Sequence, residues 1–573
     1  MIFLIKLIYF LKDHKKEGIL GPLFKLIEAI LELLIPIVMA KIIDIGVANK
    51  DIPYVFKMGG ILIILGIVGL FFALICQYYA SIASQGVGTD LRYKLFKHIN
   101  SFSYSEIDKI GTPTLTTRII NDVNQIQTGI AMLIRLGTRS PFILLGSIIM
   151  AFSIDFKLAL IFLITTPLIA LVIYFVMSKS LPLFSMIQKN LDDISLITRE
   201  NLNGVRVIKA FSKENYEKEK FENSNNSLSN LSIKASKISS LLNPLTYVIM
   251  NLSIIAVLYF GGIRVNIGSL TQGEVIAFTN YITQILLALI VFSQLVVILT
   301  KASNSSNRVL EILSIYPSIK DNDSTSYNIE SNSFIEFNNV YFKYNDGSEY
   351  SLKNINLSIN KNEIIGIIGG TGSGKSTLIN LLPKFYELNK GDIFFKGINI
   401  KNYNLRELRS KIGIVPQKAV LFNGTILDNL KWGNENASIK DIERAIKISQ
   451  SDFVYSLKDK LNYKVLQGGK NFSGGQRQRL TIARALASNP DVLILDDSSS
   501  ALDFRTDAAL RKSIKENSIN TTVIIVSQRT SSIKNCDKII VLDNGEIVGF
   551  GKHDDLLENC NIYSEIYNSQ LNN

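Results

Sequence analysis

The stretch Ile364-Ile365-Gly366-Ile367-Ile368-Gly369-Gly370-Thr371-Gly372-Ser373-Gly374-Lys375-Ser376-Thr377 decides the fold of the carboxyl-terminal half. A short apolar run, as expected of a buried strand, leads into a glycine-rich turn and then into the helical run Leu378–Leu382. G-x-x-x-x-G-K-S between strand and helix is a phosphate-binding loop. Its glycines let the backbone curl so that N–H groups point at a phosphate, and the helix start adds its dipole. Gly369, Gly370, Thr371, Gly372, Ser373 and Gly374 form this cradle, with Thr377 behind it. Lys375 is expected to reach the β- and γ-phosphates and the Ser376 hydroxyl to ligate Mg²⁺. A chance glycine-rich turn would not bring both flanking elements with it.

Working outward, Val492-Leu493-Ile494-Leu495 reads as a second buried strand, and it ends in Asp496-Asp497. An acid at such a strand end holds a nucleotide-bound Mg²⁺, so Asp496 is expected there, acting through water. Asp497 stands where a base would face the attacking water. Alone this would be weak; beside the phosphate loop it points to a nucleotide-binding α/β domain.

The other half has a different solvent. Of 573 residues 47% are hydrophobic and 19% charged, and the mean hydropathy is +0.23. The apolar residues pile up before about Thr300, so one water-soluble body is excluded, as is disorder. A spanning helix needs about 20 apolar residues. Charge-free runs at Met58–Thr89, Leu158–Ser178, Ile238–Ile263 and Val275–Thr300 satisfy that. Ile19–Val47, with Lys25, Glu28, Glu32, Lys41 and Asp44, and Ile130–Ser153, with Arg135 and Arg139, are charged candidates. Six spans result, near residues 19–47, 58–85, 130–153, 158–180, 240–263 and 274–300. Met1–Phe10 is apolar but short, and no small-residue cleavage site follows it, so an interfacial helix is expected over residues 1–16.

Loops after the second and fourth spans are long and basic, and they keep helical periodicity, as in Ile194, Leu202, Val205 and Ile208. Basic loops stay in the cytoplasm, which puts both termini and the ATPase domain inside a multi-pass plasma-membrane protein. The net charge of +12 then reflects loops facing anionic lipid rather than nucleic acid. Three cysteines and three histidines are too scattered for a disulfide framework or a zinc site.

Phe472-Ser473-Gly474-Gly475-Gln476-Arg477-Gln478-Arg479, followed by the helical Leu480–Ala487, carries a resemblance. Ser-Gly-Gly-Gln opening a helix before the second acidic strand resembles the signature of ATP-binding cassette (ABC) transporters with an exporter-type membrane domain. The resemblance covers nearly the whole chain: residues 1–16 as an elbow helix, 17–303 as the transmembrane domain, 304–333 as a linker and 334–570 as the cassette. It implies ATP and Mg²⁺ as ligands. Tyr344 matches the aromatic that stacks on adenine, and Gln417 the glutamine that links Mg²⁺ to the membrane domain. Ser500-Ala501-Leu502-Asp503 matches the loop that crosses the dimer interface. Ser103–Val123 and Glu200–Phe221 resemble the loops that carry coupling helices. Ser473, Gly474, Gly475, Gln476 and Asp503 would face a nucleotide held by a partner, so one chain is a half-transporter that must dimerise.

Two positions depart from the family pattern. Where the family has Glu after the acidic-strand Asp, this chain has Asp497; where it has a switch histidine, this chain has Gln528 in Val526-Ser527-Gln528-Arg529. Asp is one methylene shorter and Gln cannot take up a proton. Both changes fall in the catalytic set of Asp497, Gln528 and Gln417, which resembles the weakly hydrolytic chain of heterodimeric multidrug-type bacterial exporters. The function expected is ATP-driven export, or leaflet translocation, of a hydrophobic or amphipathic drug, lipid or peptide. A homodimeric exporter, an importer on this fold and an ATP-gated channel or sensor are the alternatives; six spans exclude a soluble DNA-repair or translation ATPase. Glu32, Arg135 and Arg139 are unfavourable in lipid, so they line a substrate cavity or pair across helices.

Overall fold

The computed structural model describes residues 9–322, 333–344, 349–498, 501–517 and 520–571. Its contacts divide the chain into two units, Met1–Asn100 with Pro113–Ile315 and Ser101–Thr112 with Tyr316–Asn573. In the first, α1 (Lys15–Lys41) passes into a π-helical turn at Ile42–Val47, and Lys25, Glu28 and Glu32 on it are paired. Lys25 donates to both carboxylate oxygens of Glu28 at 2.7 Å, and Arg139 donates to both of Glu32 at 2.9 Å. Asp44 accepts from the Thr271 hydroxyl at 2.6 Å and the Gly273 N–H at 2.7 Å. Pairing is what lets so charged a segment pack among apolar helices.

The charge-free run Met58–Thr89 is the middle of α2 (Ile52–Ile99), whose first turn is capped by Asp51 accepting from the Tyr54 N–H. One face buries Cys76, Ala80, Ala83, Val87 and Leu91. On the other, Ile63, Ile67, Leu70 and Leu74 are each at least 60% exposed, a continuous apolar stripe suited to lipid and not to water. After α3 (Tyr104–Ile110), which belongs to the second unit, come α4 (Val123–Leu136) and α5 (Arg139–Ile154). Then follow α6 (Phe156–Ala210), α7 (Glu214–Ser240), α8 (Leu242–Asn266) and α9 (Gln272–Ser314). Small residues let the helices close up: a Cβ on Gly261 would sit 2.9 Å from Val275 Cγ2.

Among the described residues five helical segments are long and apolar enough to cross a membrane: 52–99, 112–154, 156–210, 214–266 and 272–314. The sixth expected span is α1, 27 residues long and so about 40 Å at 1.5 Å per residue, but too charged to register by hydropathy. The 55 residues of α6 reach about 80 Å, over twice a bilayer core, so the long basic loops are helices. Two boundaries shift. Helix α9 runs on to Ser314, burying Ser305, Ser306 and Val309, so the first part of the expected linker is helical; residues 323–332 of it lie outside the described residues. Of the expected interfacial helix, residues 1–8 lie outside the described ones, Leu11–His14 is a 3₁₀ turn and Lys15 already begins α1.

Asp122, 2% exposed, ties α9 to the stretch before α4. It accepts from Arg118 at 3.0 Å, from the Ser305 hydroxyl at 2.8 Å and from both Nε and Nη2 of Arg308.

The second unit opens with β1 (Ile335–Phe342), β2 (Leu352–Ile359), β3 (Ile364–Gly369), β4 (Lys390–Phe395), β5 (Ile398–Asn399) and β6 (Ile412–Val415). The short pair β7 (Gly424–Thr425) and β8 (Lys464–Val465) precedes β9 (Val492–Asp496), β10 (Thr522–Val526), β11 (Lys538–Asp543) and β12 (Glu546–Gly551). One sheet has the order β2-β1-β4-β5; the other is β12-β11-β3-β10-β9-β6. In the latter β11, β3, β10, β9 and β6 are parallel and only β12 is antiparallel. Ile365, Ile367, Ile494, Ile524 and Ile540 come from its strands into the core, so the near-continuous apolar strand sequences reflect burial on both faces.

Candidate functional site

Parallel register gathers the site. Val526 pairs with Ile367 on one side and Asp496 on the other, so the loops after β3, β9 and β10 leave the sheet side by side. This is the carboxyl edge where open α/β sheets bind ligands. Gly369 has φ 158°, with the Leu542 carbonyl where a Cβ would lie. Gly374, at φ 98°, is the left-handed cap of α10 (Lys375–Leu381).

Lys375 is folded back into its own loop. Its Nζ donates to the Gly369 carbonyl at 3.0 Å, to that of Gly370 at 2.5 Å and to the Ser373 hydroxyl at 3.3 Å. Burial pushes its pKa down, and Asp497 and Asp496 work against that. Phosphate oxygens would replace neutral carbonyl acceptors with charged ones. The Ser376 hydroxyl donates to Asp496 Oδ1 at 3.2 Å. Burial raises the Asp496 pKa and neighbouring Asp497 adds to it, while the Ser376 hydrogen bond and Lys375 pull it down. Asp497, in the left-handed region at φ 44°, accepts from Gln417 Nε2 at 3.2 Å.

These groups line one cavity of 570 Å³ together with Thr371, Gly372, Thr377, Tyr344 and Gln528. Gln528 is exposed there, and its carbonyl accepts from Gln570 at 2.7 Å. Among the described residues no three His, Cys, Asp or Glu side chains gather as a metal nest. Ser376, Gln417 and Asp496 nevertheless bring hard oxygen donors together, the set that fits Mg²⁺ when phosphates complete its shell.

Lys353, Tyr350 and Asn544 also line the cavity and were not legible beforehand. Lys353 reads as an ordinary strand residue, brought in because its N–H donates to the Gly545 carbonyl at 2.7 Å. The available signal was Asn544-Gly545, an Asn-Gly hairpin turn with φ of 47° and 83°, but nothing local says where that turn points.

Ser473 caps α11 (Gly474–Ala487), accepting from the Gln476 N–H at 3.3 Å while Gln476 Oε1 accepts from the Ser473 N–H at 2.9 Å. Ser473 and Gly474 are exposed, and none of Ser473, Gly474, Gly475 and Gln476 lines the cavity. Asp503 is exposed too, accepting from the Thr506 N–H and hydroxyl at 2.9 and 2.8 Å; Ser500 of the same loop lies outside the described residues. In the first unit the structure joins Glu32 to Arg139, whereas Arg135 makes no ion pair among the described residues.

The family model described as "ABC transporter transmembrane region" matches residues 19–289, and that described as "ABC transporter" matches residues 352–500. An "Uncharacterized ABC transporter ATP-binding protein" of Mycobacterium tuberculosis (strain CDC 1551 / Oshkosh) is 37% identical over 555 residues, 96% of this chain and 95% of that protein. The ATP-dependent lipid A-core flippase of Syntrophus aciditrophicus (strain SB) is 32% identical over 508 residues, 87% of this chain and 83% of the flippase. Among solved structures, a bacterial Atm1-family ABC exporter with ATP bound shares the fold at a TM-score of 0.81 and 23% identity, covering 98% of this chain and 99% of that one. With a phosphate loop, an acidic strand end and a Ser-Gly-Gly-Gln helix start on an α/β unit that follows membrane-length helices in the chain, the chain belongs to the ABC transporters.

Proposed function

We propose that this chain is half of an ATP-driven exporter, that it pairs with a different half-transporter, and that it holds the weakly hydrolytic of the two ATP sites. The observation that carries the reading is the joint placement of Asp497 and Gln528 on the wall of the phosphate-loop cavity. Lys375 would bind the β- and γ-phosphates, while Ser376, Asp496 and Gln417 would hold Mg²⁺, which neutralises charge developing on the phosphates. Asp497, already bonded to Gln417 and one methylene shorter than Glu, would hold an attacking water less well. Gln528 cannot accept its proton. The signature Ser473–Gln476 is intact and does not line this cavity, as would hold if it served the nucleotide of a partner that carries Glu and His. Asp503 would lie at the same interface.

The cargo proposed is a lipid or another amphipathic molecule. Support comes from relatives named lipid A-core flippases and from helices that bury apolar faces and expose apolar stripes. Both termini and the ATPase unit would be cytoplasmic, because the basic loops are. Glu32, Arg135 and Arg139 are candidates for the cavity. The test is to purify the chain alone and with a candidate partner. In the pair, Asp497→Asn should leave most of the Mg²⁺-ATPase, and Gln replacing the partner's matching Glu should abolish most of it. Robust ATPase and transport by the lone chain would overturn the heterodimer.

A further inference from the structure

The cavity has a second edge, at Tyr344. Tyr344 is held there by its hydroxyl, 2.9 Å from the Thr377 hydroxyl on α10. Its ring meets that of Tyr386 edge to face, with centroids 5.2 Å apart and planes at 89°. Tyr386 is 8% exposed, and its hydroxyl donates to Asp108 Oδ2 at 2.7 Å. Asp108 sits on α3, which chain connectivity places between the membrane-length helices α2 and α4.

The surroundings make this a path rather than a lone contact. Tyr104, at the start of α3, stacks on Phe385 with centroids 4.5 Å apart and planes at 16°, and its N–H donates to the Phe385 carbonyl at 3.3 Å. Phe385 is clamped from behind by Arg409, whose guanidinium lies 5.3 Å from the ring centre and donates to the carbonyls of Pro383 and Lys384. Phe385 and Tyr386 lie just past the turn that ends α10, which begins at Lys375. Phosphate loop, Tyr344 and α3 therefore meet at one aromatic cluster.

We propose that Tyr386 is a positioning residue that passes occupancy of the base end of the cavity to α3, through Tyr344 on one side and Asp108 on the other. The inference rests on the nucleotide reading above. A purine stacked on Tyr344 would fix a ring that is otherwise 43% exposed. The fixed ring would hold Tyr386 edge-on and its hydroxyl on Asp108. Burial and the Asp108 carboxylate both raise the Tyr386 pKa, so the hydroxyl stays a donor at any working pH. This path is separate from Gln417, which contacts Asp497 among the phosphate-side groups, and it would report binding of the base rather than hydrolysis.

The experiment is amide hydrogen exchange on the full chain in nanodiscs, with its partner where it has one, read on peptides covering residues 101–112. Ligands are a non-hydrolysable ATP analogue and inorganic tripolyphosphate, which fills a phosphate loop without a base. The analogue is expected to slow exchange of α3 about fivefold or more, in the range of ordinary site-to-site coupling, and tripolyphosphate to leave it unchanged. Tyr386→Phe keeps the ring and its packing. It should bind the analogue as tightly as the parent yet lose the slowing; Asp108→Asn should do the same, and the double variant no more. Equal slowing in both single variants, or by tripolyphosphate, would overturn the relay. A parent chain that binds neither ligand would instead overturn the nucleotide reading, and the relay with it.

Discussion

At the scale of single residues, the cavity is a set of charges stored against neutral partners. Lys375 is bonded to carbonyls and a hydroxyl of its own loop. Lys375→Ala is expected to weaken ATP binding at least about tenfold, the loss of one charge-assisted contact, and equilibrium binding of a fluorescent ATP analogue measures it. The pair Glu32–Arg139 makes a different prediction. Glu32→Gln strands an Arg among apolar helices and should lower the thermal midpoint, whereas adding Arg139→Gln should recover part of the loss. A change in the range of transported compounds in the single variant, with folding preserved, would place Glu32 in the cargo path; an unchanged range would leave it a structural pair.

Elements fail or hold through the few polar groups that join them. Asp122 is the acceptor for Arg118, Arg308 and Ser305 at once, and Asp122→Ala leaves two guanidinium groups without it. The expected cost is about 3 kcal/mol, as for other broken buried pairs, visible as a lower unfolding midpoint in detergent. In the α/β unit, hydrogen bonds from Lys401 and Asn399 hold the Asp392 carboxyl below its ordinary range. A carboxyl whose folded pKa is depressed contributes stability above its unfolded value, near 3.8, and loses it as pH falls through the folded pKa. The midpoint of the parent should therefore fall more steeply below about pH 4 than that of Asp392→Asn. Parallel slopes would show that the Lys401 pair contributes nothing.

For the whole molecule the proposed inequality of two ATP sites makes its own prediction. Changing Asp497→Glu together with Gln528→His should raise the ATPase of the assembled transporter, because the second site gains a base and a proton acceptor. The expected gain approaches about twofold, the limit when both sites turn over at equal rates. Steady-state phosphate release measures it, and no gain would show that other features of this cavity limit hydrolysis.

What the chain determines by itself is whatever depends on local order. Lys375, Ser376 and Asp496 were legible because a phosphate loop needs strand, glycines and helix to be contiguous, and an acidic strand end needs only its own strand. Four charge-free runs were legible as membrane helices for the same reason: lipid imposes a length on a continuous segment. The first span was harder, since it carries five charges; Glu32 is met by Arg139 and Asp44 by Thr271 and Gly273 from elsewhere in the bundle, while Lys25 and Glu28 pair within the helix. Tertiary structure alone decided that Ser305 and Arg308 meet Asp122. It also decided that Asn544 and Lys353 reach the cavity and that Asp108 meets Tyr386, 278 positions away. Such contacts are long-range. Each side chain looks ordinary among its sequence neighbours, and only the parallel register of the sheet and the packing of helices give it a partner.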